Sequence, residues 1–192
     1  MQEEQLIDGL INKNEDAFRF LVDSFKDKVF NTCLSFLRNR HDAEDLTQDV
    51  FVEVHKSIGK FRREASLSTW IYKIAINKSL EYRRKQKRKK RFGHIMELTG
   101  FGKSAEADES VAFEHPGVEL ENKERGKILF KAMDELAENQ RAALVLHEIE
   151  GLSYKEIAGV LETSLSSVES LIFRAKQNLR TKLRDIYEKQ GI

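Results

Sequence analysis

The 192-residue chain has a single cysteine and a single proline. Cys33 has no partner for an intramolecular disulfide, and no Cys-rich zinc site can be assembled around it. With Pro116 the only helix breaker of its kind, and Lys, Arg, Glu and Leu abundant, a mostly helical chain is expected. No apolar run approaches the ~20 residues of a membrane span. The opening MQEEQLIDGL is too acidic and polar for a secretory leader. These absences predict a soluble, cytoplasmic protein without membrane insertion. HExxH, a Gly-rich phosphate loop and a supported Ser-His-Asp order are also missing. No catalytic residue, metal site or cofactor is therefore expected. His41, Asp42, Glu44, Asp45, Asp49, Glu53 and His55 do cluster, with His41/Asp45 and Asp45/Asp49 spaced to share a helix face. Without a second matched motif, that face reads as a protein-docking or solvated surface rather than a metal site.

Excess charge of either sign is absent as well: 33 Lys+Arg oppose 32 Asp+Glu, a net charge of +1. Such a balance alone argues against a polyanionic partner, but the charges are not evenly spread. Residues 83–91, RRKQKRKKR, hold eight bases and no acid, whereas residues 92–122 hold one base and seven acids. The basic run lies at the end of a helical pattern, which favours contact with a polyanion over a merely solvated tail.

Helical periodicity divides the chain into an all-α pair of small domains, residues 1–91 and 123–192. A short helix over 3–12 precedes one capped by Asn14, with Phe18, Leu21, Val22, Phe25, Val29, Cys33 and Leu37 at three- and four-residue steps. Asp42 is the expected N-cap of the next, whose stripe is Ala43, Leu46, Val50, Val54 and Ile58, ending at Gly59. Ser66 or Ser68 is expected to start a fourth helix near Thr69, with Ile71, Ile74, Ala75 and Leu80 inward. Residues 92–122 hold four of the ten glycines and the only proline, and read as an acidic flexible linker. Helical pattern resumes near Lys123 with Ile128, Leu129, Ala132, Met133 and Leu136. A junction is expected at Glu138–Gln140, followed by Ala142, Leu144, Val145, Leu146 and Ile149.

The segment GLSYKEIAGVLETSLSSVESLIFRAKQNLR, 151–180, carries the most constrained pattern. Ser153 and Glu156 form a capping box ahead of a two-turn helix bearing Ile157, Ala158, Val160 and Leu161. A turn at Glu162–Ser164 leads to a helix from Ser166 with Val168, Leu171, Ile172, Ala175 and Leu179 inward. This is a helix-turn-helix layout, whose second helix reads major-groove base edges with its N-terminal residues. Ser164, Ser166, Ser167, Glu169, Ser170, Phe173, Arg174 and Lys176 are placed to meet bases and phosphates. A plain helical hairpin with a polar outer face is the simpler alternative. In the first domain, FRREASLSTW, 61–70, leads into Tyr72, Lys73, Asn77, Lys78, Tyr82, Arg83 and Arg84. Rings that stack on bases, an amide for their edges and cations for phosphates suit unpaired nucleic acid. Trp70 and Phe61 would serve equally well as core residues.

Together these segments resemble the small extracytoplasmic-function (ECF) class of bacterial sigma factors. DAEDLTQDVFVEVHKSIGKF, 42–61, is similar to the family's polymerase-docking helix. FRREASLSTWIYKIAINKSLEYRRK, 61–85, is similar to its −10 melting and reading segment, and LSYKEIAGVLETSLSSVESLIFRAKQNL, 152–179, to its −35 reader. The resemblance implies two partners, core RNA polymerase and promoter DNA, and a third in an anti-sigma protein. It assigns Asp45, Leu46, Gln48, Asp49, Val50 and Phe51 to polymerase. It assigns Ser66, Ser68, Thr69, Trp70, Lys73 and Asn77 to the −10 element, with Arg83 and Arg84 following on the same helix. It places Ser166, Ser167, Glu169, Ser170 and Arg174 at the −35 duplex, with Ser164 and Lys176 beside them. The acidic linker would run towards the RNA path. A stand-alone helix-turn-helix regulator, its first domain used for dimerisation, is the competing reading of the same residues.

Overall fold

The computed structural model describes residues 2–98 and 123–190; most of the acidic stretch read as a linker, 99–122, lies outside the described residues. Helix α1, Glu3–Ile11, buries Leu6, Ile7 and Leu10. It can lie close on α2, Glu15–Leu37, because Gly9 faces Ala17: a Cβ at Gly9 would come within 2.7 Å of the Ala17 methyl. Asn14 caps α2, accepting from the Ala17 amide at 2.9 Å as its position predicts. Helix α3 spans Arg40–Ser57, and its cap is Asn39 rather than Asp42. The Asn39 side chain accepts from the Asp42 amide at 3.1 Å, which places Asp42 inside the first turn, where a carboxylate still favours the positive helix end. The chain runs past Gly59 in a 3-10 turn, Ile58–Lys60.

Helix α4 starts at Leu67, two residues ahead of expectation, because the Ser66 hydroxyl accepts from the Thr69 amide at 3.2 Å. Its backbone stays helical to Leu98, beyond the basic run and into the stretch read as linker. The second half consists of α5, Lys123–Asp134, α6, Glu138–Glu148, α7, Tyr154–Leu161, and α8, Leu165–Gln190. Glu138, Asn139 and Gln140 form the first turn of α6, so the junction falls earlier, at 135–137. There is no strand among the described residues, in line with the all-α expectation.

Among the described residues, two cores hold the helices together. The first joins α1 to α4 through Leu21, Val29, Cys33, Val50, Val54, Ile71 and Ala75. Burial pushes the Cys33 thiol up to about 11, which leaves it a packed, unreactive group. The second belongs mainly to α5–α8, with Phe130, Ala142, Val145, Ile157, Val168 and Ile172, but it also takes in Phe36, Tyr72, Ile76 and Leu80 of α2 and α4. A separate core in each half would be marginal at this size. Each fully buried apolar side chain contributes about 1.5–3 kcal/mol, so the four donated residues add substantially to the second core. Ile149, expected on the α6 stripe, instead stands 39% exposed at the end of the helix.

Candidate nucleic-acid interface

The C-terminal helices have the geometry a DNA reader needs. Ser153 and Glu156 make the complete capping box, with the Ser153 amide donating to Glu156 Oε2 at 2.8 Å. Glu162 closes α7 in the left-handed conformation (φ 51°) and starts the tight turn. Ser164 then caps α8, accepting from the Ser167 amide at 3.2 Å. That capping role ties up Ser164, while Ser166, Glu169, Ser170, Phe173 and Arg174 project outward and Val168, Ile172 and Ala175 face the core. Lys176 is exposed and ion-paired to Glu148 at 2.8 Å.

The first-domain residues are disposed differently. Ser66 and Ser68 share a 2.8 Å hydrogen bond ahead of α4, and Asn77 is exposed. Trp70 is half-buried and packs against Phe61 with ring centroids 5.2 Å apart and the rings tilted by 41°, so for much of its surface the core role prevails. Thr69 is buried and Tyr72, expected on the outer face, is buried too, both by the C-terminal helices. Lys73 pairs with Glu162 at 2.6 Å, Arg84 with Glu138 at 2.5 Å, and Arg83 with Asp134 at 3.2 Å.

Helix α1 props the segment before α4 from beneath. The Glu3 carboxylate accepts from the Leu67 amide at 2.6 Å, and Asp8 pairs with Arg63, itself at positive φ. A carboxylate at that amide satisfies one of the donors a helix start leaves free. Glu3→Ala is therefore expected to cost about 1 kcal/mol, in the range of a lost cap, and to speed hydrogen exchange at the Leu67 amide specifically. Native-state exchange read by NMR checks it; unaltered protection at Leu67 would sink the assignment.

On α3, Asp45, Gln48 and Asp49 are exposed, but Leu46, Val50 and Phe51 are not. They are core residues at 6%, 0% and 7% exposure, as is Val54, so none offers its side chain to a partner. The α3 helix turns that stripe towards α2 and α4. Val52, 48% exposed, is the apolar residue on the outer face.

Sequence reasoning missed the residues that join the halves. Arg141 of α6 is wholly buried, and its guanidinium donates to the Ser35 carbonyl and, at 3.4 Å, to the Phe36 carbonyl. These are among the last α2 carbonyls, which have no intrahelical donor and sit at the negative end of that helix. Asp134 of α5 pairs with Arg141, Arg38 and Arg83 together. Burial alone would raise the Asp134 carboxyl, but the Arg141 and Arg38 guanidiniums outweigh it and hold it below the usual range. Burial draws Arg141 down to about 10, so it remains charged at neutral pH. Glu150 accepts from the Tyr72 hydroxyl at 2.9 Å and from Thr32 at 3.0 Å, and burial raises its carboxyl. One signal was available: Arg141 and Glu150 bracket the apolar run of α6, and a charge at i−4 from buried Val145 must itself lie inward.

Fold and side chains together define a two-part helical DNA-binding protein, with a helix-turn-helix at one end and an aromatic-basic helix at the other. Residues 21–89 match the family model for Sigma-70 region 2, and residues 127–179 match that for Sigma-70, region 4. The chain is 32% identical to the ECF RNA polymerase sigma factor SigW of Bacillus subtilis, over 90% of this chain and 92% of the relative. It is 28% identical to the RNA polymerase sigma-H factor of Pseudomonas aeruginosa, covering 96% and 95% of the two chains. Among solved structures, CnrH in complex with the cytosolic domain of CnrY superposes with a TM-score of 0.67 at 23% identity, covering 95% of this chain and 97% of that one. RpoE in complex with the anti-sigma factor NepR from Bartonella quintana gives 0.62 at 21% identity, covering 87% and 96%. The chain belongs to the ECF class of RNA polymerase sigma factors, which bind core polymerase and direct initiation at specific promoters.

Proposed function

We propose that three surfaces divide the work of this sigma factor. The outer face of α3, with Asp45, Gln48, Asp49 and the exposed Val52, docks on core polymerase. Leu46, Val50 and Phe51 hold that face in place from the core. Ser66, Ser68, Thr69, Trp70, Lys73 and Asn77 at the start of α4 read the opened −10 strand, and Arg83 and Arg84 follow its phosphates. Ser166, Ser167, Glu169, Ser170 and Arg174 read the −35 duplex, with Phe173 able to meet a thymine methyl; Ser164 serves by capping α8 and Lys176 by reaching backbone. The functional division follows residues 1–91 and 123–192, with 92–122 as the connection. The protein has no catalytic activity of its own: captured bases stabilise the melted promoter, and the polymerase performs phosphoryl transfer. It works in the cytoplasm, and an anti-sigma protein is its third partner, as it is for the similar RpoE.

The observation that carries this reading is the order of the two matched regions on two helical units, the second with a fully capped helix-turn-helix. Run-off transcription with purified core polymerase and a promoter library tests it. Transcripts that depend strictly on this protein, with shared elements at −10 and −35, are expected. Unaltered initiation, with duplex binding by the free protein alone, would favour the stand-alone regulator.

A further inference from the structure

Ser166, Ser170, Phe173 and Arg174 share the outward face of α8 with the Glu169 carboxylate. Glu169 is exposed and has no ion pair or hydrogen-bond partner among the described residues. Other carboxylates of the same unit are engaged: Glu148 pairs with Lys176, Glu156 accepts from the Ser153 amide, and Glu162 pairs with Lys73. The hydroxyls one turn earlier are engaged as well. The Ser164 hydroxyl lies 3.1 Å from that of Ser166 and donates to that of Ser167 at 3.0 Å. A free carboxylate on a face that meets DNA is repelled by the phosphates, whatever the base sequence. An ionised carboxylate can only accept, so it gains affinity where a base edge offers a hydrogen-bond donor. The major groove has two such donors, the cytosine N4 and adenine N6 amino groups, whereas guanine presents the acceptors N7 and O6. The adenine amino group stands between two acceptors, its own N7 and the thymine O4. The cytosine amino group has an acceptor on one side alone, because its other neighbour is the C5 edge. Cytosine is therefore the base that suits Glu169 best. Phe173, one turn further along and 62% exposed, has no polar side-chain atom to compete for that amino group.

We infer that Glu169 sets the base identity at one −35 position, selecting cytosine on the strand that faces α8 and rejecting guanine there. The inference rests on the assignment of α8 to the −35 duplex. It deepens that assignment by naming the base that one side chain demands.

The test uses holoenzyme assembled from full-length protein and core polymerase. Templates keep one −10 region selected by the unaltered protein, are randomised across the −35 region, and carry a barcode in the transcribed portion. Unaltered protein, Glu169→Gln and Glu169→Arg are compared by sequencing the transcripts. At one position the unaltered protein is expected to favour cytosine over guanine by about tenfold, the scale of one good base contact. The same position is expected to turn to adenine with Glu169→Gln, because an amide bonds adenine N6 and N7 together. It is expected to turn to guanine with Glu169→Arg, because a guanidinium bonds O6 and N7. All other positions keep their preference. Both variants are expected to melt as the unaltered chain does, since Glu169 is exposed and unpartnered, and thermal melts check this. If −35 preferences persist but no position follows the side chain at 169, the inference is overturned while the α8 assignment stands. A uniform rise in transcription with Glu169→Arg, with no base preference altered, would reduce Glu169 to a general charge and overturn it equally. Absence of any −35 preference in the unaltered protein would overturn the α8 assignment, and the inference with it.

Discussion

Replacing Asp134 with alanine is expected to lower stability by about 3 kcal/mol, the lower end for breaking a buried ion pair. For a chain of this size that corresponds to a fall in Tm of about 10 °C. Asp134 is the common partner of Arg38, Arg83 and Arg141. Its removal leaves three guanidiniums facing one another, and Arg141 is wholly inside the protein. The Arg141 Nε already lacks a hydrogen-bond partner among the described residues, so none of them offers a spare acceptor to compensate. The effect carries a pH signature. Because the folded carboxyl is held below its ordinary value, it contributes stability above the unfolded value of about 3.9. That contribution disappears as pH falls through the lower folded value. The gap between the unaltered chain and Asp134→Ala should therefore be constant near neutrality and close below about pH 4. Urea melts of both proteins from pH 7 to pH 3 would measure it. A gap under 1 kcal/mol at pH 7 would show that the cluster does not tie the halves together.

The second large effect is on assembly rather than stability. Asp45→Lys with Asp49→Lys is expected to weaken binding to core polymerase about 100-fold or more, close to 3 kcal/mol. Both carboxylates are exposed on α3, and among the described residues the only ion pair made by either is a long one, His41 to Asp45 at 3.9 Å. Their reversal should leave the melting temperature nearly unaltered, since isolated surface pairs contribute little. Binding of the −35 duplex by the C-terminal half should also be preserved. Fluorescence anisotropy with labelled full-length protein and core enzyme reads the first quantity, and a thermal melt reads the second. Reversal without loss of polymerase affinity would move the docking surface away from α3. The nearby Val52 supplies an internal comparison: Val52→Ser removes apolar area from the same face and should weaken binding less, about 10-fold or below.

Local features were largely legible in the chain. The capping box at Ser153 and Glu156, the cap at Asn14 and the inward stripe of α8 depend on neighbours three or four residues away. Periodicity reports such neighbours directly. Asn39 outcompeted Asp42 as a cap because the two are three residues apart and both are good caps, a choice that sequence spacing leaves degenerate. On α3 the stripe Leu46, Val50, Val54 was legible as a core face. Phe51 lies one position off it and was buried only because α3 is flanked by two helices, which widens the inward face. Resemblance to relatives carried functional labels onto whole segments, so it could not separate Asp45, which is exposed, from Leu46, which is buried.

The chain by itself therefore determined the helices, the helix-turn-helix, the family and the opposed basic and acidic blocks, because each follows from residues close together in sequence. Only the tertiary structure decided how the basic charges are used. Residues 83 and 84 of the basic run meet acids 51 and 54 positions away, and Arg141 caps a helix 105 positions back. Pairings at that distance depend on how the two units dock, and no local pattern encodes them. Part of the positive charge of α4 is thus paired inside the molecule, at Lys73 with Glu162, Arg83 with Asp134 and Arg84 with Glu138, while the net charge of +1 is unchanged by that pairing.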